Sequence, residues 1–244
     1  MGIPADPAWL TVALFLILGS LVQGAVGFGA ALVAAPVTML LRPDLVPGAL
    51  MVAAFSANVA QATRDWQGLH HWPILAWLLA GLLPGFLLGA TALAVLPPRE
   101  TAFLFGGAVL VAVALSLGGW TIRPRPITLL PAGFLSGFMS ITTTMGGPPL
   151  ALLFQDLPGP LLRGLLAVVF TVGGLLAMTV LHGAGLLGWT ELREGAWLIP
   201  FPLTGLLLSR PLARWLDRGR VRSAVLLLAG ASGLGVILKA LLAG

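Results

Sequence analysis

Thr101 to Ile122 runs for 22 residues without a single charge. Roughly 20 apolar residues suffice to span a bilayer. Comparable segments run Trp9–Leu41, Val46–Thr63, Pro73–Leu96, Ile127–Phe154, Pro160–Leu181, Ala196–Ser209 and Val221–Leu242. Charged residues make up 9% of the 244-residue chain, against roughly 25% in a soluble domain. Mean hydropathy is +1.03. The fold class expected is an all-α polytopic membrane protein, because lipid demands that every backbone polar group be bonded internally.

Composition then narrows the function. Met1 to Ala8 carries no Lys or Arg and includes Asp6, so a positive signal-peptide start is missing and the first segment is expected to stay. The chain has no cysteine, which excludes disulfides and thiolate chemistry. Tyrosine is also absent. Trp9, Trp66, Trp72, Trp120, Trp189 and Trp215 lie near segment ends and are expected to supply the interfacial aromatic belt. The formal net charge of +5 points to anionic lipid rather than nucleic acid.

Two segments carry their own interruption. Gln23 to Pro36 reads QGAVGFGAALVAAP, and Ser136 to Pro149 reads SGFMSITTTMGGPP. Glycine and proline weaken helices, so each stretch predicts a break inside an apolar segment. A shift of 113 residues lays Gly24 on Gly137, Pro36 on Pro149, Pro47 on Pro160 and Asn58 on Thr171. A shift of 120 lays Ala76 to Leu78 on Ala196 to Leu198, one insertion in the loop from Leu186 to Arg193 reconciling the two. The chain is expected to hold two homologous four-segment halves, 1–122 and 123–244, forming one transmembrane domain. Each half opens with a broken or re-entrant helix. If both breaks are re-entrant, the halves are inverted, and the 13 Lys and Arg divide nine to four across the membrane. The nine include the loop from Arg210 to Arg222 and the RPRP stretch at Arg123, which places both termini outside.

Repeat-built transporters bind substrate where discontinuous helices meet. The candidate substrate-binding residues follow: Gln23, Gly24, Gly27, Phe28 and Gly29 from the first break; Ser136, Ser140, Thr142, Thr143, Thr144, Gly146 and Gly147 from the second. Hydroxyls, free N–H groups and helix N-termini suit an anion without burying a full positive charge. Asn58 and Gln61, at i and i+3, either extend the site or cap a helix end. Arg163 is either a substrate counter-charge or a snorkelling interface residue. Gly106, Gly118, Gly173 and Gly230 are expected to serve close packing. His70, His71 and His182 have no metal-site spacing, and no metal or cofactor is implied.

No carboxylate falls mid-segment; Asp65, Glu100 and Asp156 sit at edges. Export of an anion does not require one, since an inside-negative potential drives anions outward by roughly 2.3 kcal/mol per charge per 100 mV. Two other classes stay open: a membrane binding or scaffold protein without transport, and an intramembrane serine hydrolase pairing Ser136 or Ser140 with His182.

The stretches GSLVQGAVGFGAALVAAPVTMLL and GFLSGFMSITTTMGGPPLALLF, each opening a half, resemble the TauE/SafE-like sulfite exporters of the toluene sulfonate uptake permease superfamily. The resemblance extends over essentially the full length. It implies a multi-pass transporter of the bacterial inner membrane, moving sulfite, an organosulfonate or a related carboxylate, with a homo-oligomer left open. It also implies roles for Gly24, Gly27, Gly29 and Pro36. Where such proteins keep a glycine cluster after Gly137, this chain has Ser140, Thr142, Thr143 and Thr144.

Overall fold

A computed structural model describes residues 6–65, 71–117, 122–154, 156–212 and 218–242, except the side chains at 210–226 and 228. Trp66, His70, Gly118, Trp120, Trp215 and the arginine side chains from Arg210 to Arg222 lie outside what is described. The described chain is helical, with no strand. Among the described residues, five helices are long and apolar enough to cross a membrane: α1 (Pro7–Val26), α4 (Trp72–Val95), α5 (Pro98–Leu117), α6 (Pro126–Thr143) and α8 (Gly159–Gly183). With them stand α2 (Ala30–Leu41), α3 (Gly48–Arg64), α7 (Gly147–Phe154), α9 (Trp189–Leu198), α10 (Pro200–Leu212) and α11 (Arg218–Leu242).

Both expected breaks are present. α1 ends at Gly27 (φ 108°) and α2 begins after Gly29 (φ 136°); a glycine adopts such angles without a side-chain clash. α6 ends at Thr144, φ 62°, and α7 starts at Gly147. From Gly27 to Thr144 is 117 residues, four more than the expected register. The second break therefore falls about one helical turn later.

The α1–α2 pair is a hairpin. Gly19 packs directly on the backbone of Ala30. Arg42, which follows α2, pairs at 3.2 Å with Asp6, which caps the start of α1. Lys239, near the end of α11, donates to the carbonyl of Leu40 at 3.2 Å. The second break also turns back: Ser136 Oγ donates to the Gly146 carbonyl at 2.6 Å, across ten residues.

Glycines set the closest helix approaches. Gly81 and Gly85 of α4 rest on the backbone of α6 at Leu130 and Phe134. Because both series ascend together, α4 and α6 run parallel. Gly205 of α10 rests on Ile17 of α1, and Gly24 on Ser209, so α1 and α10 run parallel too. α5 and α11 meet at Gly106 and Gly233 and run antiparallel. α3 packs on α8.

Two local expectations fail. The loop expected through Arg193 is helix from Trp189, part of α9. Glu191, Arg193 and Glu194 lower its hydropathy, yet Glu191 Oε2 accepts from the Gly188 N–H at 2.7 Å and caps it. Trp9 is not an interfacial residue: it is 2% exposed and meets Phe201 edge-on at 5.3 Å. Trp72 and Trp189 are exposed, as a lipid-facing belt requires.

Candidate functional site

The two breaks share one cavity. Gln23, Phe28 and Gly29 line it from the first, Ser140, Thr144, Gly146 and Gly147 from the second, and Asn58 from α3. The space open to the centres of water-sized spheres is about 70 Å³. One ordered water needs roughly 10–15 Å³ on that measure, so a small solute with part of its hydration shell fits. None of the described lining residues is charged.

Local geometry fixes the polar groups. Gln23 Nε2 donates to Asn58 Oδ1 at 2.9 Å, which ties α1 to α3; the Asn58 amide N–H groups make no hydrogen bond among the described residues. Ser140 Oγ occupies the space a β-carbon on Gly146 would need. The Phe28 ring covers Gly147 in the same way. The Thr144 hydroxyl is buried and has no partner among the described residues. Its backbone is left-handed, an unusual conformation for a β-branched residue.

The helix starts matter as well. The first N–H groups of a helix have no partner within it, and the macrodipole puts partial positive charge there. Gly29, Ala31 and Leu32 bring the start of α2 to the cavity. Gly146, Gly147 and Pro148 bring the start of α7. Pro148 and Pro149 have no N–H to offer, so α7 supplies fewer donors than α2.

Other expected site residues lie outside this lining. Gly24 is a packing contact against Ser209 and Leu206. A β-carbon on Gly27 would meet Arg163 at 3.2 Å. Ser136 is spent on Gly146. Thr142 Oγ1 donates to the Phe138 carbonyl at 2.9 Å and Thr143 Oγ1 to the Met139 carbonyl at 2.7 Å. Thr143 also accepts from the Met145 N–H at 3.2 Å. Two of the three consecutive threonines therefore bond their own helix, as lone ones commonly do. Arg163 Nε pairs with Asp65 at 3.3 Å.

The rest of the lining is apolar and was not distinguishable from core by sequence. Phe55, Phe86 and Phe170 wall the cavity, and Gly173 and Gly174 leave room within it. Gly173, expected as a packing residue, belongs to this wall. The Gly173–Gly174 doublet was the available signal. His182 Nδ1 is bonded to the Leu187 carbonyl at 2.9 Å. Neither Ser136 nor Ser140 is bonded to it among the described residues, so a Ser–His pair is not formed.

The model of one protein family, described as sulfite exporter TauE/SafE, matches residues 12–236, nearly the whole chain. Searches of curated proteins and of solved structures returned no match.

Proposed function

The chain belongs to the TauE/SafE sulfite exporter family, and from that membership we propose that the cavity between the two breaks holds a small oxyanion during its passage across the membrane. Membership makes the chain a membrane transporter and not an enzyme. The finer reading concerns cargo, site and orientation. One observation carries it: two interrupted helices bring their first turns, the Ser140 and Thr144 hydroxyls and the Asn58 amide to one pocket with no charged residue in its described lining, and the first N–H groups of a helix have no partner within it. Neutral donors and helix N-termini hold an anion while avoiding a buried fixed charge. Sulfite, an organosulfonate or a short carboxylate matches that chemistry.

The orientation places both termini in the periplasm and the halves inverted, in the bacterial inner membrane. Its supports are the Asp6–Arg42 and Lys239–Leu40 contacts at one end and the nine-to-four division of Lys and Arg. Purified protein in liposomes, screened for flux of sulfite, sulfonates and short carboxylates, tests the cargo. The expected result is protein-dependent flux of at least one of them, lost in Gly147→Leu. Absence of anion flux from folded wild-type protein would overturn the proposal.

A further inference from the structure

Asp65 caps the end of α3 and is held between two guanidinium groups. Its Oδ2 lies 3.1 Å from Arg64 Nη2 and 3.3 Å from Arg163 Nε. All three side chains are mostly buried, at 13%, 15% and 20% exposed for Asp65, Arg64 and Arg163. Among the described residues two positive charges share one negative, so the cluster keeps one positive charge uncompensated there. Buried or partly buried charges near lipid are costly and rarely left without a role.

The donors are not evenly spent. Arg64 Nη2 also donates to the Gly24 carbonyl at 2.9 Å, and Nη1 lies 3.5 Å from Ser209 Oγ. Arg163 uses only Nε, on Asp65. Its two Nη groups make no hydrogen bond among the described residues, which leaves a fork that matches two oxygens of an oxyanion. The α-carbon and stem of Arg163 pack where a Gly27 side chain would be, so the break itself makes room for this arginine.

The cluster connects to the cavity along α3. Asn58 lines the cavity. Asn58, Gln61 and Asp65 stand at i, i+3 and i+7, one face of the helix. Gln61 is fully buried, and neither its Nε2 nor its Oε1 has a partner among the described residues. An orphaned buried amide is expensive and calls for a polar occupant. On α8, Arg163, Phe170 and Ala177 repeat every seven residues, and the last two wall the cavity.

We propose that Arg163 and Arg64, bridged by Asp65, form a second binding station for the oxyanion at the mouth of the cavity, with the Gln61 amide as the step between. The inference rests on the cavity as the anion site, and under the orientation above this mouth faces the cytoplasm. An arriving anion takes the free Arg163 fork and weakens the hold of Asp65. Asp65 acts as the resident competitor that keeps the station from trapping its ligand.

Initial sulfite efflux from proteoliposomes, measured against sulfite concentration, tests it. Arg163→Gln is expected to raise the half-saturating concentration by about tenfold or more, the scale of a lost charged hydrogen bond. Arg163→Lys should recover part of it. Asp65→Asn should shift it the other way, lowering it a few-fold, because a competitor is removed. An unchanged Arg163→Gln, or equal losses in Arg163→Gln and Asp65→Asn, would overturn the station and leave a structural ion pair. Gly147→Leu runs in parallel: if it transports like wild type, the cavity reading fails instead. A binding arm keeps the two apart. Sulfite-induced thermal stabilisation of the detergent-purified protein should fall in Arg163→Gln even if no transport is seen, and full retention there would overturn the station.

Discussion

The Phe28 ring lies against the α-carbon of Gly147, so that a β-carbon on Gly147 would come within 2.7 Å of Phe28 Cδ2. The tips of the two breaks, 119 residues apart in the chain, therefore touch. Phe28 is flanked by two positive-φ glycines, which hold it out from both helix ends. Gly147→Ala should push the ring into the cavity or open the two breaks. We expect anion flux to fall by about tenfold or more at near-normal expression, the consequence of a small misplacement at a shaped site. Phe28→Ala with Gly147→Ala should restore part of the flux, because the clash is then removed from the other side. Gly230→Ala is the matched control: its β-carbon would meet nothing nearer than Val113 at 4.0 Å, so flux should not change.

Thr144 separates stability from binding. Its φ of 62° costs a β-branched residue on the order of 1–3 kcal/mol. Glycine relieves that strain and also removes the unpartnered hydroxyl. Thr144→Gly should therefore melt higher than wild type while its anion binding weakens by about 1 kcal/mol or more. Thermal unfolding and anion titration on the same sample check both signs. Thr143→Val behaves differently, because that hydroxyl serves the carbonyl of Met139 and the N–H of Met145. It should cost stability by about 1 kcal/mol and affect binding only through the shape of the break.

How far the sequence carried the fold depends on what each feature demands physically. The breaks were legible because Gly27 and Gly29 take positive φ, which few residues tolerate, and because Gly146 and Gly147 leave no room for a β-carbon beside Ser140 and Phe28. The register of the second break was not, since α6 continues one turn further through Thr142 and Thr143, whose hydroxyls bond the carbonyls of Phe138 and Met139 in the same helix. The first part of α9 is not legible in the sequence, because its polar residues resemble a loop when hydropathy is the guide. Phe55 and Phe170 could not be told from core, as an apolar side chain looks the same facing a cavity or a neighbour. The link between Asp65 and Arg163 spans 98 residues, and no local spacing encodes it.

At the far end of the hairpin, Arg42 holds Asp44 at 2.7 Å. Hydrogen bonding from Arg42 keeps the Asp44 carboxyl below its ordinary value, and burial opposes this only partly. A depressed carboxylate stabilises the fold above its unfolded value of about 3.9 and loses that contribution as pH falls. Asp44 is 57% exposed, so the effect is small, at most about 1 kcal/mol. Wild type should exceed Asp44→Asn in melting temperature near pH 6, and the gap should close toward pH 3. A gap that widened on acidification would contradict the assigned sign.

The sign of the cargo can be tested at Asn58. This residue lines the cavity and accepts from Gln23 through Oδ1. Asn58→Asp keeps the shape and the accepted hydrogen bond while replacing the amide donors with negative charge. Two unit charges about 4 Å apart at an effective dielectric constant of 20 interact by about 4 kcal/mol. An anion in the cavity would be repelled by up to that amount, enough to lower flux by orders of magnitude. A cationic cargo would be favoured instead. A neutral one would change little beyond the loss of the amide donors. Asn58→Leu provides the reference, since it removes the hydrogen bonds without adding charge and should cost about 1–3 kcal/mol of binding. The decisive comparison is anion flux in Asn58→Asp against Asn58→Leu at equal incorporation. If the aspartate variant matches or exceeds the leucine variant, the cavity does not carry an anion.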